Sequence, residues 1–212
     1  MSAPSSAPAV NVALDRSDFR TVTLGGAGVG LITGVAVVAF IAASQRVPET
    51  AGARGVVEAL IVLGAGVLAA FLPARWTAPR GADGIAGAAA TGLVGTIVFS
   101  AIDIILLRPF KAYPWTWDAI GGGSSWWYLP VWWMLGTFLA WMGGIVTASA
   151  GAPGGGGETT LARRAMPVVI ATVIGAVVAR LLAFGIALPV ATGGAFTVAI
   201  AAFAIVALAR KG

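Results

Sequence analysis

The chain has 212 residues, of which 58% are hydrophobic and only 10% are charged, and its mean hydropathy is +0.94. These values lie far outside the range of soluble domains, so the composition excludes a soluble globular protein. Runs of about 20 apolar residues are long enough to cross a bilayer core of roughly 30 Å, which predicts an all-α, polytopic membrane bundle. The runs are continuously apolar and do not alternate with polar residues, which argues against a membrane β-barrel.

The net charge of +5 comes mostly from arginines that flank the apolar runs. This pattern is typical of membrane topology and anionic headgroups rather than of nucleic-acid binding. The chain contains no cysteine and no histidine. It therefore lacks thiol catalysis, iron–sulfur ligation and the commonest ligand of haem, zinc and copper. We expect no metal, no cofactor and no catalytic residue, with the lipid bilayer and other membrane subunits as partners.

Proline divides the chain into segments. Residues 1–20 form a tail rich in Ser, Ala and Pro, without the short basic start of a secretory signal, so the first apolar run is predicted to be a retained anchor. The eleven prolines fall between the apolar runs, as expected for a residue that disrupts helix interiors. They divide residues 21–212 into six candidate spans, at approximately 22–43, 55–73, 84–107, 130–149, 167–188 and 190–209.

The basic residues orient these spans. Six crossings place the tail, the second and fourth loops and the C-terminus on one side. The basic residues of that side are Arg16, Arg20, Arg75, Arg80, Arg163, Arg164, Arg210 and Lys211. The opposite side has Arg46, Arg54, Arg108 and Lys111. Eight against four predicts that both termini are cytoplasmic, in a multi-pass protein of the cell (inner) membrane.

Tryptophan is concentrated between the third and fourth spans, in residues 108–133, which we call the aromatic cap. Indole rings prefer the membrane–water interface, because the ring is apolar while its N–H needs a wet partner. The cap is therefore predicted to be an outer tryptophan belt, with two alternatives: a stacking platform for a small apolar, aromatic or cationic ligand, or a docking surface for another subunit. The contact residues would be Trp115, Trp117, Asp118, Trp126, Trp127, Tyr128, Trp132 and Trp133.

Three ionisable residues fall within predicted spans, namely Glu58, Asp103 and Arg180. Charges inside a membrane are expensive and normally face protein or water. Their depths predict that all three meet in the outer half of the bundle, below the aromatic cap. Such a cluster is either a set of salt bridges that fixes helix register, or a cation or proton site in which one carboxylate changes protonation.

Two neighbouring features accompany these charges. Thr96 and Ser100 lie near the helical face of Asp103 and extend it into a polar stripe down the third span. Arg54 precedes Glu58 by four residues, a spacing that favours an ion pair along one helix. These contacts are expected whether the cluster is structural or functional.

Small residues recur at every fourth position of the first span, at Gly26, Gly30 and Gly34. Such a stripe lets two helix backbones approach closely, which replaces the hydrophobic drive that lipid removes. The stripe predicts tight packing of glycine-rich helices within the bundle. Of the stripes in this sequence, it is also the best candidate for a contact with another subunit.

Several chemistries are excluded by residue type. Retinal attachment needs an intramembrane lysine, whereas Lys111 and Lys211 lie at span ends. We expect a non-catalytic structural or accessory subunit of a larger membrane complex. The alternative is a small-solute or proton/cation-coupled transporter, or the substrate-binding membrane subunit of a transporter. Six spans, cytoplasmic termini and the first-span stripe are together similar in layout to the substrate-binding subunits of energy-coupling-factor vitamin transporters, but no binding motif of that family matches residue by residue.

Overall fold

The structure is a computed structural model that describes residues 16–107, 109, 128–150, 161–182 and 185–210. These residues contain no strand, and six of their helices are long and apolar enough to cross a membrane. The helices are α1 (Phe19–Arg46), α2 (Ala53–Thr77), α3 (Ala82–Ile102), α4 (Tyr128–Ala150), α5 (Leu161–Leu182) and α6 (Leu188–Ala209). A π-helical turn, Asp103–Leu107, continues α3, and a short 3-10 helix, Thr50–Gly52, precedes α2. The predicted all-helical bundle with six spans is confirmed.

Local bonds and backbone conformations fix the helix ends. Asp18 caps α1, because its carboxylate accepts the Thr21 backbone N–H at 3.0 Å and the Thr21 hydroxyl at 2.7 Å. Gly52, with a φ of 76°, adopts the left-handed conformation just before α2. Gly185 has a φ of 102° in the connection between α5 and α6. Short connections of this kind make consecutive helices antiparallel.

Two prolines that were expected between spans lie inside helices, which corrects the predicted boundaries. Pro73 is followed by one further turn of α2, in which the Thr77 hydroxyl donates to the Pro73 carbonyl at 3.0 Å. Pro167 lies in the second turn of α5. A proline near a helix end removes one hydrogen bond without interrupting a long run of them. The fifth span consequently runs over 161–182 rather than 167–188, and Arg180 lies in its last turn.

The glycine stripe of α1 packs inside the bundle. Gly26, Gly30 and Gly34 are buried. A Cβ on Gly30 would lie 2.7 Å from the carbonyl oxygen of Gly95 on α3, and one on Gly34 would lie 3.5 Å from Ile102. The predicted close packing of helices is therefore present. Because α3 already covers this face of α1, the stripe does not provide the expected contact with another subunit.

A hydrophobic core joins α2, α4, α5 and α6. Its buried members are Ala70, Phe71, Leu139, Met142, Ile145, Ala165, Val168, Phe196, Ala199, Ile200, Ala204 and Ala207. Gly143 of α4 packs directly on the backbone of Ala70 on α2. α6 contacts α2 and α4, whereas α5 packs chiefly on α6. The last helix is thus central and the fifth is peripheral.

The bundle has two ends with different chemistry. At the tail end, where α2 ends and α3 begins, the Arg16 N–H donates to the Thr77 carbonyl at 2.9 Å and Ser17 lies against Gly87. At the aromatic end, α1 and α3 end while α2 and α4 begin. Leu188 lies within 3.8 Å of a Cβ built on Gly55, so α6 also begins at the aromatic end. The predicted sidedness makes the tail end cytoplasmic.

Candidate functional site

Asp103 lies buried at the aromatic end, only 1% exposed. It opens the π-helical turn after α3, and its backbone N–H donates to the carbonyls of both Phe99 and Ser100. π-helical turns are rare and are frequently found at functional sites. A carboxylate sheltered at such a turn is the strongest candidate for chemistry among the charged residues that the structure describes.

The polar stripe along α3 forms hydrogen bonds with its own helix. The Thr96 hydroxyl donates to the Leu93 carbonyl at 2.9 Å, and the Ser100 hydroxyl donates to the Thr96 carbonyl at 2.7 Å. Ser100 Oγ also accepts the indole N–H of Trp133 at 3.4 Å. The stripe therefore links α3 to α4, one turn before Asp103.

Only part of the aromatic cap falls in the described residues. The ring of Trp132 meets the ring of Phe99 edge-to-face, with centroids 5.9 Å apart and planes at 70°. Together with Trp133, it covers the turn of α3 that precedes Asp103. The predicted cap residues Trp115, Trp117, Asp118, Trp126 and Trp127 lie outside the described residues, as does the side chain of Tyr128.

Two of the three intramembrane charges, Glu58 and Arg180, have partners outside the predicted cluster. Glu58 is half-buried and accepts the Ser44 hydroxyl at 2.6 Å, which joins α2 to α1. Arg180 is exposed and donates to the Ile186 carbonyl. No ion pair joins Glu58 to Arg180. The reason is that Arg180 lies in the last turn of a peripheral helix, where the nearest acceptor is the following backbone.

Arg54 also has a different partner from the predicted one. Its Nε donates to the Val47 carbonyl at 2.9 Å, and its Nη1 lies 3.4 Å from Glu49 Oε2. No ion pair with Glu58 is formed. Because Arg54 lies in the first turn of α2, its long side chain reaches back over the short connection from α1. Glu49 is 83% exposed, so this ion pair contributes little to stability.

Sequence reasoning missed a cleft of about 1320 Å³ at the tail end. Arginines line it together with Phe71 and Trp76. These arginines were interpreted only as determinants of topology. The sequence feature that could have indicated this cleft is the adjacent pair Arg75 and Trp76 at the end of a span, because the pair combines a cation with an interfacial ring.

No group of three or more Asp or Glu side chains in the described ranges could hold a metal ion. The site at the aromatic end is thus one buried carboxylate with hydroxyls and indoles beside it, and the cleft at the tail end is a basic rim over apolar rings. No family model, curated protein or solved structure matches this chain.

Proposed function

We propose that the chain is a non-catalytic subunit of a larger complex in the cell (inner) membrane, with both termini in the cytoplasm. The observation that supports this role best is Trp141, which is 48% exposed near the middle of α4. It lies about nine residues before Ala150, or roughly 14 Å along the helix axis. That depth is close to half of the roughly 30 Å hydrocarbon core.

A tryptophan at this depth is costly when it faces lipid. Indoles normally occupy the interface, where water accepts their N–H. The N–H of Trp141 has no hydrogen-bond partner in the part of the chain that the structure describes. Hydrocarbon offers no acceptor either, so an unpaired N–H there is unfavourable. A neighbouring subunit with an acceptor at this depth would remove the penalty.

The surface around Trp141 has the spacing of a helix–helix seam. Val131 is 56% exposed and Met134 is 73% exposed, and they precede Trp141 by ten and seven residues on the same side of α4. Phe138 is half-buried and completes the alternating spacing of three and four. This is the pattern with which one helix packs along another. A single transmembrane helix of a partner subunit fits such a surface.

A photo-crosslinker placed at this surface tests the proposal. We expect benzoylphenylalanine at position 141 to give a protein adduct when the chain is expressed in its native membrane. The same group at position 174 of α5, where Ile174 is 59% exposed, should react with lipid alone. Equal products at the two positions, or purification of the chain as a monodisperse monomer that crosslinks to nothing, would contradict the proposal.

A second candidate function is proton/cation-coupled transport of a small solute, by the chain itself or as the substrate-binding membrane subunit of a transporter. Asp103 favours it, because a buried carboxylate inside a span is a usual element of proton and ion pathways. Trp132 and Trp133 add ring faces that attract cations.

Proton flux into pyranine-loaded proteoliposomes, driven by a potassium diffusion potential, tests this candidate. The Asp103→Asn variant should lose the flux and keep its thermal stability. Asp83→Asn, which neutralises an exposed carboxylate in the first turn of α3, is the matched control and should keep both. A purely structural role predicts the opposite, namely lower stability for Asp103→Asn and an unchanged flux.

A further inference from the structure

The cleft at the tail end is bounded by four helices. The start of α1 forms one wall, the last turns of α2 form the floor, and Thr147 of α4 with Leu161 and Arg164 of α5 form the opposite wall. Its volume of about 1320 Å³ exceeds the roughly 300–1,000 Å³ of typical small-molecule sites. The space is therefore large enough for a molecule with both a headgroup and a chain.

The rim of this cleft is strongly basic. Arg16, Arg20 and Arg75 are exposed, and their side chains form no ion pair or hydrogen bond with any described residue. Arg164 adds a fourth guanidinium on the opposite wall. Asp18 is the one carboxylate among the described residues that line the cleft, so an excess of positive charge remains when it is set against Arg16, Arg20 and Arg75.

Asp18 forms no ion pair with these arginines, because its oxygens bond to the start of its own helix. They accept the hydroxyl and the backbone N–H of Thr21 at the start of α1. These bonds, the hydroxyl one foremost, hold the pKa of Asp18 below its usual value of 3.8. The carboxylate therefore remains an ionised helix cap at neutral pH, and Arg16, Arg20 and Arg75 form no ion pair with it or with any other described residue.

Apolar surface continues inward from the rim. Leu24 is 61% exposed and lines the cleft, and Phe71 is buried beneath it. The indole of Trp76 packs over Gly25 and Gly28, and a Cβ on Gly25 would lie 2.9 Å from the ring. From Arg20 to Gly28 the wall runs for about eight residues, or roughly 12 Å. The cleft therefore has cations at its rim and apolar surface further inside. This arrangement fits an amphiphile, which has a charged headgroup and an apolar chain, better than it fits a free ion.

A buried hydroxyl lies within the apolar part. Thr147 is 4% exposed and lines the cleft. It forms no hydrogen bond with another described residue, whereas Thr77, Thr91 and Thr172 each donate to a carbonyl of their own helix. Buried hydroxyls are normally paired, so this one is available to an ester or phosphate oxygen of a ligand.

We propose that the cleft binds an anionic phospholipid, whose phosphate is held by Arg16, Arg20 and Arg75 while an acyl chain lies along Leu24 and Trp76. Guanidinium groups match phosphate oxygens in charge and geometry. A soluble phosphate would use the rim alone and leave the apolar floor empty. This inference does not depend on the role proposed for Trp141.

Native mass spectrometry of the full chain in neutral detergent tests the proposal, with phosphatidylglycerol as the probe. The Arg20→Gln/Arg75→Gln variant should bind phosphatidylglycerol roughly 25-fold more weakly. Each arginine near an anionic lipid headgroup contributes about fivefold to the affinity, and the variant lacks two of them. Arg163→Gln/Arg210→Gln makes the same charge change at the same end and outside the cleft, and should bind like the natural chain. Unchanged melting temperatures of both variants verify folding, which is expected because these side chains are exposed.

Three results would overturn the inference. An equal loss in the control variant would show general attraction to a basic surface. Equal binding of phosphatidylcholine would show that charge is not recognised. Displacement of phosphatidylglycerol by comparable concentrations of glycerol 3-phosphate would make the cleft a site for soluble phosphates instead of lipids.

Discussion

At the scale of single residues, polar side chains near helix ends bond to the nearest free group of the backbone. Asp18 accepts the Thr21 N–H, Arg54 donates to the Val47 carbonyl and Arg180 donates to the Ile186 carbonyl. The first N–H groups and last carbonyls of a helix have no partner within it, so they compete well for nearby charges. Asp18 and Arg54 therefore stabilise the two boundaries of α1, and Arg180 holds the connection that follows α5.

The cap of α1 leads to a prediction at this scale. Asp18→Ala should lower the exchange protection of the Thr21 amide, whereas Asp18→Asn should retain much of it, because Asn also caps helices. The protection should be pH-dependent, since the pKa of Asp18 is lowered in the folded chain. It should be full above pH 3.8 and be lost as the pH falls through the lower, folded-state pKa.

Amide hydrogen exchange of the natural chain and both variants checks this prediction, after correction for the intrinsic exchange rate at each pH. The Val56 amide in the first turn of α2 serves as an internal control, because the N-cap residue of that helix, Gly52, has no side chain to accept a hydrogen bond. Protection at Thr21 that follows the same pH course in Asp18→Ala would contradict the cap assignment.

Residue-level contacts were predictable only where one helix contains both partners. Thr96, Ser100 and Asp103 form a stripe because helical spacing alone places them on adjoining positions of α3. The partner of Arg54 was not predictable from spacing. Glu49 and Glu58 are almost equally close in sequence, and the path of the connection between α1 and α2 decided in favour of Glu49.

At the scale of elements, the α1–α3 contact depends on side chains being absent. Gly30→Ala should destabilise the bundle by about 1–3 kcal/mol, because its Cβ would lie 2.7 Å from the Gly95 carbonyl oxygen and from Val98. Gly64→Ala on α2 is the matched control. A Cβ there meets nothing within 4 Å, so the change should stay within about 0.5 kcal/mol.

Unfolding of both variants by sodium dodecyl sulfate in mixed micelles measures this difference. Equal unfolding midpoints for Gly30→Ala and Gly64→Ala would show that a methyl group between α1 and α3 does not lower the stability of the bundle. The assignment of the stripe to this contact would then be wrong.

The number of helices and most of their bounds follow from the sequence, because long apolar runs and bilayer thickness leave few alternatives. The fifth span was the exception and was placed six residues too late. The sequence predicts a boundary at Pro167, yet a proline in the second turn of α5 removes one hydrogen bond and leaves the rest of the helix intact.

At the scale of the whole molecule, sidedness can be tested directly because the chain contains no cysteine. Glu49→Cys places a thiol at the aromatic end, and Asp83→Cys places one at the tail end, both at exposed positions. If both termini are cytoplasmic, an impermeant maleimide should label the Glu49→Cys variant in intact cells and the Asp83→Cys variant only after lysis. The reverse result would place the termini outside.

The cleft could not have been predicted at this scale. Its lining residues extend from Arg16 to Arg164 in the sequence. No sequence periodicity indicates that the first turn of α1 lies near the first turn of α5. Only the packing of α1, α2, α4 and α5 brings them together. The buried position of Asp103 was predictable in outline, whereas the bond from Arg180 to the Ile186 carbonyl was not.

The core has a consequence for biosynthesis. α6 supplies five of its twelve members, from Phe196 to Ala207, although it leaves the ribosome after the other five spans. Until α6 inserts, the other seven buried members of the core, among them Phe71 and Ile145, lack these five side chains, and the nascent bundle is loosely packed. A polypeptide cut after Leu182 would still have five crossings, but its new terminus would emerge on the opposite face of the bilayer. Cells that degrade loosely packed membrane polypeptides would remove such a fragment.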